Sequence, residues 1–383
     1  MTAPPPHRPA LSLILCSRND AYMGDSRYRL ETTLNYTAAA VAALGLEREV
    51  EVLVTDWGSE VPLAEAVRLE APAAALTRFL TVPPPLAQAR QGRSPFPEVL
   101  ALNAAARRAS GRFIGRIDQD TLTGTRFLGT FVGWARGERP LPASFTRPLE
   151  DTLLFANRRS IPYRLAVRRP PLASLTRHLE ARGAALTIET GRVIYNLDVG
   201  IWLAHRDLWD ACGGYDERMV FMNEMDPDMV RRLMTRYPLI DLGPLVGWDF
   251  YHLDHYHPRG SRSSSTHREV NTTHVFPPLG FRPSGEAWGL AACTLTADRA
   301  TRPPVARTPE RGRDRIAWAG LRLLVGVQRT VDRVLYPFVP RWTRRARLAR
   351  AAIRHQPVGR WPALLRALWA TRVKPAVPHD ALD

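Results

Sequence analysis

Two aspartates separated by a single residue, Asp118 and Asp120, follow a short apolar run from Phe113 to Ile117. Such a run is typical of a buried strand. A strand that delivers two carboxylates into a loop can hold a hard divalent cation, because Mg²⁺ and Mn²⁺ prefer oxygen ligands and complete their shells with water and phosphate oxygens. Two aspartates at this spacing also occur by chance in many proteins, so the surrounding elements decide whether the pair predicts a metal site.

Polar residues also follow two other predicted strands. Asn19 and Asp20 come after the apolar run from Leu11 to Cys16, and Asp56 comes after the run from Val50 to Val54. Strands that alternate with helices favour a parallel sheet, at whose carboxyl edge ligand groups gather. No G-x-G-x-x-G turn follows the first strand, so a dinucleotide-binding domain is not supported. The other predicted elements of this region are helices at 28–44, 63–69 and 97–110 and a strand at 79–82.

Five stretches of the chain carry a resemblance to a known family. They are SLILCSRND, EVLVTDWGS, ALNAAARRASGRFIGRIDQD, LDVGIWLAHRDLWDACGGYDERMVFMNEMDPDMVRRL and FYHLDHYHP. Together they resemble the nucleotide-diphospho-sugar transferases of the GT-A fold, most closely the family 2 glycosyltransferases. The resemblance covers residues 10 to 258. It implies an α/β fold of Rossmann-like type, with a mixed, mostly parallel sheet flanked by helices.

The resemblance also implies a donor site and a reaction. Asp120 would hold Mn²⁺ or Mg²⁺ against the diphosphate of a UDP- or GDP-sugar, where negative charge grows as the glycosidic bond breaks. Asp118 would contact the ribose or the donor sugar, and Asp56 would accept hydrogen bonds from the nucleoside. The acceptor hydroxyl would belong to a glycan or a lipid-linked precursor. The residues that the resemblance assigns to donor binding are Asn19, Asp20, Asp56, Asn103 and Asp118.

Three carboxylates, Glu224, Asp226 and Asp228, precede a helical pattern from Met229 to Met234. Acidic residues at a helix start favour the helix dipole, which explains them without any chemistry. In inverting members of the family, an acidic residue at this point is the general base that takes the proton of the acceptor hydroxyl. Family members often have adjacent Glu and Asp, whereas here one residue separates them. We expect Asp226 to be the base, with Glu224 as second choice and Asp228 in a supporting or capping role.

Three histidines, His252, His255 and His257, lie close together with Asp249 and Asp254 beside them. Histidines of a solvated loop that bond locally are the simplest explanation, but three within six residues weaken it. Many GT-A enzymes use a late histidine as a further ligand of the metal held by the aspartate pair. The resemblance favours His255 in that role and His252 after it. Zinc is a competing metal, although the chain offers no cysteine pair for it.

Composition limits the domain organisation and the compartment. A chain of 383 residues with 45% hydrophobic content can bury a full core. We expect a flexible lead over 1–9, a catalytic domain over 10–285 and a basic helical extension over 286–383. The three cysteines are far apart, no signal peptide is evident, and no run of eighteen apolar residues occurs, which favours a cytoplasmic protein. A single lysine among the basic residues is typical of a GC-rich bacterial genome.

Most of the net charge lies in the C-terminal extension. Residues 300–383 hold 18 Arg and Lys against 5 Asp and Glu, which accounts for +13 of the chain's +16. Apolar and aromatic residues alternate with these arginines at helical spacing. Such a segment can lie on an anionic membrane surface, at the inner face of the cell membrane, or it can pack on the catalytic domain.

Two other functional classes remain open from the sequence. A pI near 10.7 is compatible with a nucleic-acid or membrane binder on a non-catalytic GT-A fold, but that class leaves the strand-end carboxylates unexplained, and we expect no nucleic acid partner. A sugar-phosphate nucleotidyltransferase uses a related sheet. Those enzymes begin with a glycine-rich phosphate loop, and the segment from Cys16 to Asp20 contains no glycine.

Overall fold

A computed structural model describes residues 7–22, 24–189, 199–221, 225–255 and 281–295 of the chain. Glu224, His257 and residues 296–383 of the C-terminal extension, on which several predictions depend, lie outside the described residues. Among the described residues, no helix has both the length and the apolar character needed to cross a membrane.

The strands of the described residues form two sheets, and their order confirms the predicted fold class. The larger sheet has the order β3-β2-β1-β4-β8-β6-β9, and all of its strands except β8 run in the same direction. The smaller sheet has the order β5-β10-β7. The strands are β1 (Leu11–Ser17), β2 (Val50–Trp57), β3 (Thr77–Val82), β4 (Phe113–Arg116), β5 (Thr121–Thr123), β6 (Leu153–Asn157), β7 (Arg159–Ile161), β8 (Val199–His205), β9 (Leu239–Asp241) and β10 (Phe250–Leu253).

Helices cover both faces of the larger sheet, because successive residues of its strands point to opposite sides. On β1, Ile14 belongs to the core on one face, together with α5, α9 and α10, whereas Leu13 belongs to the core on the other, with α1 and α6. The helices are α1 (Ser26–Ala43), α2 (Leu63–Ala66), α3 (Ala71–Leu76), α4 (Pro84–Gln91), α5 (Glu98–Arg108), α6 (Thr125–Ala135), α7 (Tyr163–Ala166), α8 (Leu172–Arg182), α9 (Arg206–Cys212), α10 (Met225–Met234) and α11 (Gly243–Val246).

The smaller sheet brings the late histidine segment to the aspartate pair. Strand β5 begins directly after Asp120, and β10 pairs with it in antiparallel register, with His252 opposite Thr121. The backbone N–H of Leu253 donates to the carbonyl of Asp120 at 2.9 Å. On its other side β10 pairs in parallel with β7, so that His252 lies opposite Ser160. A ladder of this kind fixes the histidine beside the carboxylate more firmly than a loop could.

The segment 281–295 packs on α5 through two arginines at the end of that helix. Arg107 donates to the carbonyl oxygens of Glu286 and Trp288, and Arg108 donates to those of Gly289, Leu290 and Cys293. The side chains of Trp288, Leu290 and Leu295 are buried in the same core as α5. Side chains from residues 286–295, which were predicted to belong to the C-terminal extension, thus pack in the same core as α5, and the domain boundaries themselves stay a prediction.

One predicted helix differs from the helices that the structure contains. The helix predicted over 63–69 ends at Ala66, because the backbone becomes extended at Val67, and the separate helix α3 follows with a proline in its first turn. Strand β8 is antiparallel to both neighbours, which agrees with the mixed, mostly parallel sheet that the resemblance implied. Cys212 is buried, whereas Cys16 is half-buried.

Candidate active site

Asp120, His252 and His255 form a compact group beyond the carboxyl end of β4. One carboxylate oxygen and one ring nitrogen from each histidine all lie within 4.8 Å of one another. His255 Nε2 is 3.4 Å from one oxygen of Asp120, and His252 Nε2 is 3.8 Å from the other. Asp120 and His252 are buried. The structure thus brings together the three residues that the sequence proposed as metal ligands.

The two ring nitrogens of His252 have different surroundings. Nδ1 lies 2.8 Å from Oε1 of Glu189, so Nδ1 carries the proton that Glu189 accepts. In the neutral ring Nε2 then carries the lone pair, and it is buried without a hydrogen-bond partner among the described residues. A buried lone pair directed at a carboxylate and a second imidazole is the donor arrangement that a divalent cation completes. The residues present therefore fit a metal ion.

Positive side chains surround Asp120 on its other sides. Arg29 of α1 is buried and donates from Nη1 to Oδ2 of Asp120 at 2.8 Å, and Arg158 Nη1 lies 3.6 Å from Oδ1. Burial raises the pKa of Asp120, but His252, Arg29, His255 and Arg158 outweigh it and hold the pKa well below the usual range of an aspartate. The carboxylate therefore stays ionised, which is the form that binds a cation.

Asp118 lies between two arginines. Its Oδ2 accepts from Arg158 Nη1 at 2.6 Å, and its Oδ1 is 2.7 Å from Arg116 Nη2. Arg116, on β4, is buried and also donates to Glu98 at 2.8 Å, and it lies 3.5 Å from Oδ2 of Asp226. One guanidinium thus holds together carboxylates from three elements. Burial raises the pKa of Glu98 to about 7, because Arg116 offsets the desolvation only in part.

Asp226 lies in the first turn of α10 and is buried. Its Oδ1 accepts from the hydroxyl of Tyr215 at 2.6 Å and from Nε1 of Trp202 at 3.2 Å. Asp228 has a separate task, because its Oδ2 accepts from Nε of the buried Arg232 one turn along the helix. The structure therefore separates the two aspartates: Asp226 lies beside Arg116, which also contacts Asp118, whereas Asp228 pairs within its own helix.

Asp56 and Asn103, which the resemblance assigned to donor binding, form hydrogen bonds with other residues of the protein. Asp56, at the end of β2, is fully buried and accepts from the hydroxyl of Ser59 and from the N–H of Leu63. Asn103 of α5 is fully buried and bonds to both backbone groups of Tyr215 and to the carboxylate of Glu217. None of these partners belongs to the group around Asp120. Donor binding by Asp56 and Asn103 stays a prediction to which the geometry adds no support.

Asn19 and Asp20 lie in the turn after β1 and organise it. The backbone N–H of Asn19 donates to Ser59 Oγ, and its side-chain amide donates to the carbonyl of Val61 at 3.0 Å. Asp20 accepts from Arg18 Nε at 2.7 Å and from the N–H of Tyr22 at 2.9 Å. Both side chains remain partly exposed, so their role at the donor also stays a prediction.

Sequence reasoning missed four residues of the site: Arg29, Arg116, Arg158 and Glu189. Arg116 carried a signal, because a charged residue inside the apolar run 113–117 must find partners when the strand is buried. Arg158 is one of two adjacent arginines, and the sequence alone does not indicate the partners of either. Nothing in the sequence distinguished Arg29 or Glu189 from surface charges, since their partners lie 91 and 63 residues away.

Neither a protein-family model nor a curated protein matches this chain. Similar solved structures include S. aureus TarS 1-349, with 13% identity and a TM-score of 0.39 over 63% of this chain and 60% of that one. Its complex with UDP-GlcNAc has 15% identity and a TM-score of 0.37 over 63% of this chain and 57% of that one. A further TarS structure has 13% identity and a TM-score of 0.40 over 63% of this chain and 36% of that one. The chain thus spans at most three fifths of these TarS chains, and likeness of this degree identifies neither substrate nor reaction.

Proposed function

We propose that this protein is a metal-dependent, inverting glycosyltransferase that moves a sugar from a nucleotide-diphosphate donor to an acceptor hydroxyl. The group formed by Asp120, His252 and His255 carries the proposal, together with Asp118 beside it. The group lies at the carboxyl edge of a mostly parallel sheet, where such folds bind their ligands. Arg116 contacts both Asp118 and Asp226, so the proposed base lies one guanidinium away from the aspartate pair.

Asp120, His252 and His255 would hold Mn²⁺ or Mg²⁺. A bound cation supplies positive charge where the departing diphosphate becomes more negative. Two imidazoles beside one carboxylate favour Mn²⁺ over Mg²⁺, because Mg²⁺ prefers oxygen ligands throughout. Zn²⁺ matches the same donors and is the competing metal. Arg158, which touches both Asp118 and Asp120, adds a second positive charge next to this position.

Asp226 serves as the general base in the proposed reaction. The acceptor oxygen attacks the anomeric carbon and its proton passes to Asp226, while the bond from that carbon to the phosphate oxygen breaks and the nucleoside diphosphate leaves with the electron pair. Attack and departure on opposite faces invert the anomeric centre. The hydrogen bonds from Tyr215 and Trp202 to Oδ1 fix the carboxylate and direct Oδ2 toward Arg116 and the site.

The proposal also specifies the chemical class of the donor and that of the acceptor. A UDP- or GDP-sugar suits a metal and an arginine at the diphosphate, and a glycan or lipid-linked hydroxyl suits the base. Action at the inner face of the membrane stays a prediction, because the basic residues on which it depends, within 300–383, lie outside the described residues.

A panel of nucleotide sugars tests the donor site. We expect one UDP- or GDP-sugar with Mn²⁺ to raise the Tm of the wild type. The enzyme should also release nucleoside diphosphate from that donor. A nucleotidyltransferase given pyrophosphate would instead form a nucleoside triphosphate. Asp120→Ala should abolish the metal-dependent shift, and Asp151→Ala, at an exposed aspartate, should preserve it. His255→Ala is a second variant that leaves the pair between Asp120 and Arg29 intact. Equal behaviour of every donor with and without metal would refute the proposal.

A further inference from the structure

Glu189 contacts two members of the site at once. Its Oε1 lies 2.8 Å from His252 Nδ1, and its Oε2 accepts from Arg158 Nε at 2.8 Å. Arg158 in turn donates to Asp118, while His252 Nε2 lies 3.8 Å from Asp120. The carboxylate of Glu189 therefore connects His252, which lies near Asp120, with Arg158, which bonds to Asp118.

The segment that carries Glu189 is fixed to the smaller sheet. The N–H of Glu189 donates to the carbonyl of Arg158 at 2.7 Å, and the N–H of Ser160 donates to the carbonyl of Thr187 at 2.9 Å. Ile188 forms an antiparallel bridge with Arg159. This short pairing at the edge of β7 places the carboxylate of Glu189 between His252 and Arg158, so its position follows from backbone hydrogen bonds and not from side-chain contacts alone.

We infer that Glu189 is a positioning residue that selects the tautomer of His252 and fixes the orientation of Arg158. An acceptor at Nδ1 keeps the proton there and leaves the lone pair on the buried Nε2, the nitrogen near Asp120. The second oxygen of the same carboxylate holds Nε of Arg158, which leaves its Nη1 to reach Asp118. The inference rests on the proposed function, since it assigns His252 Nε2 to a divalent cation.

Glutamine in place of Glu189 cannot serve both partners. Its one amide oxygen can accept from His252 Nδ1 or from Arg158 Nε, and its NH₂ group can only donate. Either the histidine loses the acceptor that selects its tautomer, or the arginine loses its tether. Outer-sphere partners of metal-bound histidines typically affect metal affinity by about 10- to 100-fold.

Mn²⁺ titration by electron paramagnetic resonance of the free ion tests the inference. We expect Glu189→Gln to weaken Mn²⁺ binding by about 10- to 100-fold. Glu180→Gln, an exposed glutamate on α8, should bind Mn²⁺ like the wild type. If His255→Ala loses the ion and Glu189→Gln binds it normally, the inference is wrong and the metal site stands. If His255→Ala also binds normally, the metal site itself fails.

A spectroscopic readout on the metal-free wild type does not depend on the variant's folding. In ¹⁵N-labelled protein, His252 should be the Nδ1–H tautomer, whereas Glu189→Gln should show a mixture or the Nε2–H form. An Nε2–H tautomer of His252 in the wild type would overturn the inference. Should Glu189→Gln fail to fold by circular dichroism, the wild-type spectrum decides alone.

Discussion

Asp56 and Asp120 occupy corresponding places at the carboxyl ends of two parallel strands, yet the fold uses them differently. The partners of Asp56 are Ser59 and the N–H of Leu63, at most seven residues away. Those of Asp120 come from 38 to 135 residues away and include Arg29 and two histidines. Burial raises the pKa of Asp56 despite its hydrogen bonds, whereas the cationic partners of Asp120 hold its pKa down.

Asp249 and Asp241 extend the comparison. Asp249 accepts from the N–H groups of Arg126 and Phe127 at the start of α6, and Asp241 accepts from the N–H of Gly243. Burial raises the pKa of both carboxyl groups, that of Asp241 to about 6. Backbone N–H groups hold a carboxylate in place without offsetting its burial, whether they lie 2 residues away, as for Asp241, or 123 residues away, as for Asp249. Arginines and histidines from distant elements are what distinguish the carboxylates of the site.

Asp226→Asn gives the largest expected effect. Asparagine can still accept at one oxygen from Tyr215 and Trp202, but it cannot take a proton from the acceptor hydroxyl. Turnover should fall by about 100- to 10,000-fold while the donor-dependent rise in Tm persists. The check is nucleoside diphosphate release with acceptor, alongside the thermal shift with donor.

Asp228→Asn is the matched control for Asp226, because Asp228 pairs with Arg232 inside α10. Its turnover per folded molecule should stay close to that of the wild type. Full turnover by Asp226→Asn would remove Asp226 from the reaction and leave Glu224 as the remaining sequence-predicted base.

Local patterns in the sequence predicted the strands and the carboxylates at their ends. They located β1, β2 and β4. They could not separate Asp56 from Asp120, because that difference depends on which distant side chains pair with each. The approach of His252 to Asp120 depends on β5 and β10, a pairing of short strands that leaves no periodic signal.

The stability of two asparagine variants sharpens the comparison of Asp56 with Asp120. Asp120→Asn leaves the buried guanidinium of Arg29 without its charged partner, and we expect a loss of about 3–5 kcal/mol in the free energy of unfolding. Asp56→Asn loses one of the two hydrogen bonds that the carboxylate accepts and should cost about 1–3 kcal/mol. Urea unfolding at pH 7 without metal measures both values. Equal losses would show that the distant charges contribute no more than a local cap.

The smallest effect is expected at Glu98. It tests whether one shared arginine is enough to keep a buried carboxylate ionised. Arg116 is shared among Glu98, Asp118 and Asp226, and burial still raises the pKa of Glu98 to about 7, above its unfolded value near 4.5. Between these values the folded state binds the extra proton, so the free energy of unfolding falls as pH rises toward 7, by at most about 1.4 kcal/mol per pH unit. Glu98→Gln should flatten this slope between pH 5 and about 7 in urea unfolding series. An unchanged slope would mean that Arg116 already compensates the burial of Glu98, and that a shared arginine suffices to keep a buried carboxylate ionised.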